Sequence, residues 1–234
     1  MIHTGCCGFR MAQDDYFEAF DCIEIQKTFY QPPRPSTAER WRGKAPDDFI
    51  FTLKAWQCIT HYPSSPTYRR ASISDERKEQ CGGFRDNDVV TEAWETTREI
   101  AEILEAPVVV FQCPASLEPT DEHIGNMRAF FDRIDRGDML PGWEPRGEEW
   151  TDELVGRLCD ELDLVHVVDP FDRQQVSGPV NYFRLHGIGG YRYEYTDEDL
   201  EKLRGFINRE EAYCMFNNSS MVDDARRFAG LVGG

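Results

Sequence analysis

Arg184 and His186 lie two residues apart in the apolar run 182–186, so in a β-strand both side chains point to one side. Arg offers a planar fork that matches carboxylate or phosphate oxygens. His moves protons near neutral pH. Gly187 lets a ligand approach the backbone, and Gly189 and Gly190 keep the next loop open. Glu144 and Arg146 repeat the alternation, with an acid or base beside a second anion-binding group. The same pairs also admit a purely structural use, as an Arg held by a buried carboxylate, a His bonded to backbone and an ion pair closing the barrel.

Glu24 and Lys54 interrupt apolar runs. Burying either charge alone is costly, so each needs a partner, and pairing across neighbouring strands is one solution. A desolvated Lys also has a lowered pKa and acts as a base or Schiff-base nucleophile. His61 follows just beyond the strand that carries Lys54. Gln112, Asp169 and Asn217 each end a further apolar run, and Tyr30 supplies an aromatic or hydrogen-bonding wall. The expected roles are an anion held by Arg184 and Arg146, with Glu24, Gln112, Asp169, Asn217 and Tyr30 contributing to binding. His186 and Glu144 serve as acid and base, assisted by Lys54 and His61.

These residues need elements that bring them together. Apolar runs at 1–7, 22–28, 49–55, 108–112, 140–146, 164–168, 181–186 and 212–216 read as eight strands. Helical periodicity falls at 14–20, 36–43, 89–104, 120–134, 151–162, 196–208 and 221–231. Ser36 is expected to cap its helix, with Glu39 completing a capping box. Thr120, Thr151 and Thr196 open three others. No room remains for a full helix between Asp169 and Asn181. Residues 57–86 form a long connection of the kind that carries a role such as a lid. Strands alternating with helices predict a parallel α/β architecture, an irregular TIM-like barrel in a single domain over 1–234. The ends of its strands then gather ionisable groups on one face, which is how such barrels build active sites.

The 234 residues carry a formal net charge of −17, with 40% hydrophobic and 12% aromatic content. That surface repels nucleic-acid phosphates, and no Lys/Arg-rich run offsets it. Many acids with few lysines (27, 44, 54, 78 and 202) suit a salt-loving host. No run is long enough for a membrane span and no signal peptide is visible, so a cytoplasmic protein is expected. The cysteines form no CxxC pair and several sit in apolar runs, as in a reducing compartment. Cys6 and Cys7 suit strand packing better than a catalytic thiol.

Nucleotide-cofactor and metal-loop motifs are missing, so neither a cofactor nor a metal is expected. A cation would need His186 with Glu144 and Asp169 from separate strands.

The segments Gly5-Cys6-Cys7-Gly8-Phe9, residues 23–30, Trp41 through Lys54, Ile59-Thr60-His61, residues 110–114, Glu144-Pro145-Arg146 with Trp150, residues 182–187 and Phe216-Asn217-Asn218 occur in one order along the chain. In these the chain resembles the DUF72 (YecE-like) family of unknown function. The resemblance implies a barrel-like β/α fold with a ring of strand-end residues, and no reaction. Gly147 stands where the family often has a His after Glu-x-Arg, the segment from Gly8 to Tyr16 is shorter than usual, and trimmed loops imply a more open site.

The function expected is an enzyme of hydrolase or lyase/isomerase type, metal-independent, acting on a small phosphate- or carboxylate-bearing substrate. A metal-dependent hydrolase such as a phosphodiesterase, and a non-catalytic binder of an anionic ligand, are the alternatives.

Overall fold

The structure, a computed structural model, describes residues 1–233. Eight strands form one sheet: β1 Ile2–Cys7, β2 Cys22–Ile25, β3 Ile50–Lys54, β4 Val108–Gln112, β5 Leu140–Glu144, β6 Val165–His166, β7 Asn181–Leu185 and β8 Ala212–Phe216. Their order is β6-β5-β4-β3-β2-β1-β8-β7, and every pairing is parallel. The two edges meet through a bridge between Val168 and Phe183. There the Arg184 N–H donates to the Val168 carbonyl at 2.8 Å, and the Val168 N–H donates to Tyr182 at 3.3 Å. The sheet is thus a nearly closed barrel.

The short, almost wholly apolar strands suit burial on both faces. Inward-facing Cys22, Val108, Val110, Val165, Val167, Tyr182, Tyr213 and Met215 fill the barrel. Outward-facing Phe51, Leu53, Val109 and Phe111 pack beneath the helices with Trp94, Phe130 and Phe131. The helices are α1 Gln13–Ala19, α2 Lys27–Tyr30, α3 Pro35–Lys44, α4 Asp75–Lys78, α5 Asp88–Ile103, α6 Asp121–Arg133, α7 Asp152–Leu162, α8 Asp197–Phe206 and α9 Met221–Val232. Thr120, Thr151 and Thr196 cap α6, α7 and α8, and Asp199 completes a capping box at Thr196. As expected, none of these helices lies between β6 and β7. No helix of the described residues is long and apolar enough to cross a membrane.

Several local expectations differ: β5 ends at Glu144 and β6 shrinks to Val165–His166, and two further differences have a clear physical reason. Ser36 is not a cap: Arg34 occupies that place and Pro35 opens α3, where its fixed φ suits the first turn and its missing N–H costs nothing. The second strand stops at Ile25, and Lys27 to Tyr30 form a single helical turn, held by Thr28 Oγ1 donating to the carbonyls of Ile25 (3.0 Å) and Lys54 (2.6 Å). That turn swings Lys27 and Tyr30 out of the strand line, over the barrel mouth.

Residues 57–86 fold back on themselves. The Gly82 N–H donates to Cys58 and the Phe84 N–H to Ile59, both at 2.8 Å, and the Tyr68 hydroxyl donates to His61 at 2.8 Å. The loop thereby buries its own Cys58, Ile59, Tyr68, Cys81 and Phe84 and carries Thr67 and Arg70 to the barrel mouth.

Candidate active site at the C-terminal end of the barrel

Strand alternation places Glu24, Lys54, Gln112, Glu144 and Arg184 in the last inward positions of β2, β3, β4, β5 and β7. Register sets Gln112 beside Glu144 and Cys7 beside Glu24. These charges converge because the barrel closes.

Arg184 is buried between two carboxylates. Its Nε donates to Glu24 Oε1 and Oε2 at 3.1 and 3.0 Å, and Nη1 donates to Glu144 Oε2. Glu24 also accepts from the Tyr182 hydroxyl at 2.9 Å and from Gln26 Nε2, and Tyr182 is in turn held by Thr52 at 2.7 Å. Burial opposes the Arg184 charge, but Glu144 and Glu24 outweigh it and hold the guanidinium ionised. The expected anion-gripping fork is therefore already occupied. Nor do Glu24 and Lys54 pair with each other, because Arg184 reaches Glu24 across the barrel.

Burial also pushes the Glu144 carboxyl up, yet Arg184 and then Arg146 overcome this and leave it well below the usual carboxylate range. Arg146 donates to Glu144 Oε1 through Nε and Nη2 at 3.2 and 2.9 Å. A carboxylate held ionised by two guanidiniums is a poor proton carrier, so its geometry suits positioning Arg146 better than the acid–base role expected for it.

Lys54 is buried at the floor of the mouth. Its Nζ lies 3.7 Å from the Phe29 ring centroid and donates to Gln112 Oε1. Burial first, and then Arg184, lower its pKa to about 7, against the weaker pull of Glu144 and Glu24. His61 sits behind Phe29, ring centroids 4.9 Å apart, with Nδ1 at 2.8 Å from Thr60 Oγ1. Burial and the nearby Lys54 lower its pKa to about 3, and it does not line the mouth. The expected assisting role for His61 thus has no open path to a ligand.

His186 is partly exposed, with Nδ1 3.6 Å from Asp169 Oδ2. The same oxygen accepts the His186 backbone N–H at 2.8 Å, and Nε2 has no partner. Asn217 follows β8, its N–H donating to Leu185 at 2.9 Å. Tyr30 lies beneath the Arg70 guanidinium, 5.2 Å from the ring centroid. Cys6 and Cys7 are buried; burial pushes the Cys6 thiol up to about 12 and Cys7 well above its usual value.

Above this floor opens a cleft of about 750 Å³. Arg10, Lys27, Lys54, Arg70, Arg146, Arg184 and His186 line it, with Phe9, Phe29, Tyr30 and Trp41 as aromatic walls, and no Asp or Glu is among its lining residues. An adjoining recess of about 720 Å³ shares Arg146 and His186 and holds Asp169 and Asp172. A cleft of about 380 Å³ at the opposite end has Glu18, Asp21 and Asp48 on its walls and no cation. Lys54, Gln112, Arg146, Arg184, His186, Asn217 and Tyr30 therefore share one cleft, while Glu24 lies below it and Asp169 beside it.

Sequence reasoning did not assign site roles to Arg10, Lys27, Arg70, Phe29 or Trp41. Arg10 and Lys27 closely follow the ends of β1 and β2 and Arg70 lies in the loop after β3, a position that hints at the mouth without showing that these side chains reach it. Among the described residues no group of three or more His, Cys, Asp or Glu side chains is placed to hold a metal ion, so His186, Glu144 and Asp169 do not form such a set.

The fold has counterparts in known proteins. The chain is 23% identical over an alignment of 248 positions to the UPF0759 protein YunF of Bacillus subtilis, covering 90% of this chain and 81% of that one. A crystal structure of a DUF72 family protein from Enterococcus faecalis matches with a TM-score of 0.78 at 18% identity, covering 100% of this chain and 98% of that one. A D-psicose 3-epimerase shares the barrel with a TM-score of 0.60 at 13% identity, over 94% and 90% of the two chains. The family model described as "Protein of unknown function DUF72" matches residues 11–234, and the chain belongs to that family.

Proposed function

We propose that the protein is an enzyme of isomerase or lyase type that acts on a small phosphate- or carboxylate-bearing substrate in the C-terminal cleft. One observation carries this reading: a chain of net charge −17 lines one cleft with six Lys and Arg side chains and no carboxylate. Low-dielectric walls focus the field of such a cluster and concentrate anions there. Arg146, Arg70, Lys27 and Arg10 are exposed, Arg146 being held by Glu144 and Arg70 resting on the Tyr30 ring. Arg184 lies beneath them with its charge balanced by Glu24 and Glu144, so the anion-attracting field comes from the exposed cations.

Lys54 supplies the proton chemistry. With its pKa near 7, both protonation states are populated at neutral pH, which is what a general base or acid needs. His186, with an unpartnered Nε2 and an Asp169 carboxylate behind Nδ1, is the second carrier. Two proton carriers beside an anion grip suit proton removal and return at a carbon of the substrate. The epimerase of like fold lends only the architecture, because fold does not set the reaction.

A turnover screen tests this. Small sugar phosphates and hydroxy or keto acids are incubated with the protein and followed by exchange of solvent deuterium into the substrate. The reading expects exchange with at least one anionic compound and its loss in Lys54→Met. Tight binding of these anions with no exchange would instead identify a non-catalytic binder.

A further inference from the structure

Of the five lysines, only Lys27 and Lys54 line the cleft, and only Lys54 is buried. Its chemistry follows from what its neighbours are doing. Glu24 and Glu144, the carboxylates nearest in the fold to pair with a buried ammonium, are both engaged by Arg184. Among the described residues Lys54 makes no ion pair. Its Nζ is held by a neutral carboxamide, Gln112, and by the Phe29 ring face. The ring face favours the cation modestly, but burial and the neighbouring guanidinium act the other way and win. The result is an amine at the floor of an anion-attracting cleft, available in its neutral form near neutral pH.

We propose that Lys54 captures the carbonyl group of its substrate as a covalent imine, so that the substrate class of the cleft is a small aldehyde, ketone or keto acid bearing a phosphate or carboxylate. This rests on the cleft being an anion site. The Nζ lone pair attacks the carbonyl carbon, the C–N bond forms and the C=O π pair moves to oxygen. The carbinolamine then loses its hydroxyl, protonated by solvent, as water, and the nitrogen gives up its protons. One amine and one carbonyl yield one imine and one water, with no oxidant or reductant. Protonated, the imine withdraws electrons from the adjacent carbon and makes proton loss or bond cleavage there easier; Lys54 then acts as the electron sink and His186 is left as the proton carrier. The exposed cations above hold the anionic end, and Gln112 keeps Nζ pointed into the cleft.

The test is reductive trapping on the full chain. Pyruvate, glyoxylate and dihydroxyacetone phosphate are each incubated with the protein and sodium cyanoborohydride, followed by intact mass and peptide mapping. The proposal expects one adduct per chain with at least one compound, located on Lys54. The adduct should be lost in Lys54→Arg, whose fold is checked by circular dichroism, and kept in Lys202→Arg, which lies outside the cleft. Labelling at Lys27, or spread over Lys44, Lys78 and Lys202, would overturn it. Absence of an adduct while the same compounds raise the melting temperature would overturn the imine and leave the anion site standing. Absence of both adduct and stabilisation, with these compounds and with inorganic phosphate, would overturn both.

Discussion

Lys54 Nζ lies 3.7 Å from the centroid of the Phe29 ring, at the floor of a cleft whose nearest carboxylates are already taken by Arg184. A lysine so placed makes protonation part of the energetics of folding. Its folded pKa, about 7, is below the ordinary 10.5, so between these values the unfolded chain holds the extra proton. Stability should therefore rise with pH across that window, and the cost of burying the ammonium is full below it. Lys54→Met should be more stable than the parent below pH 7, by an amount on the order of a few kcal/mol, with the gap narrowing toward pH 10. Urea unfolding at a series of pH values measures this. A constant difference across the series would show that Lys54 has an ordinary pKa.

Arg184 should behave as a structural residue as much as a functional one. Arg184→Ala leaves Glu24 and Glu144 buried without their shared cation. Breaking a buried pair in this way costs about 3–5 kcal/mol. Chemical denaturation at neutral pH is the check, and a loss below about 1 kcal/mol would place Arg184 in the range of surface ion pairs.

The expectation that Arg184 grips a free anion came from a strand pattern that shows which side it faces and not what stands opposite. Glu24 lies 160 positions earlier, and only closure of the barrel brings the two together. The apolar runs themselves were legible, because a strand buried on both faces must be apolar along its length. The gap between Asp169 and Asn181 was legible too, since it is too short for a helix with its loops. The reach of Lys27 was not, because Thr28 bonds two carbonyls and turns the chain into α2 where the pattern continues as a strand. Arg10 and Arg70 sit in loops, whose course no periodicity reveals. The second partner for Lys54 was hidden for the same reason: Phe29 belongs to that turn.

Exposed cations at the cleft should separate binding from stability. Arg146 is 43% exposed at its side chain while its partner Glu144 is buried and keeps Arg184, so Arg146→Ala should cost roughly 1–2 kcal/mol, clearly less than Arg184→Ala. Loss of a charge-assisted hydrogen bond to a bound anion costs about 1.5–3 kcal/mol, roughly a tenfold or greater weakening of affinity. Arg70→Ala should lose affinity likewise with a smaller loss of stability, since Arg70 rests on the Tyr30 face at the rim. Titration with inorganic phosphate and thermal melts, run on both variants, compare the two effects.

Gly5 marks where the barrel wall is tightest. A Cβ there would stand 2.1 Å from the Cys22 carbonyl oxygen and 2.8 Å from its carbon. Relief requires β1 to move against β2, which also carries the Cys7–Glu24 register. Overpacking of this kind costs about 1–3 kcal/mol, and the backbone contact puts Gly5→Ala at the upper end. A melting temperature unchanged by the substitution would contradict this packing.

If the C-terminal cleft is an anion site, the charge of a compound decides whether it binds there. Isothermal titration calorimetry with dihydroxyacetone phosphate, set against uncharged dihydroxyacetone, tests it most directly, on the parent and on the Lys27→Ala, Arg146→Ala double variant. The phosphorylated compound alone should bind, with affinity that weakens as salt screens the cleft and is lost in the double variant. Equal binding of the uncharged compound, or affinity for the phosphate untouched by the two substitutions, would contradict it.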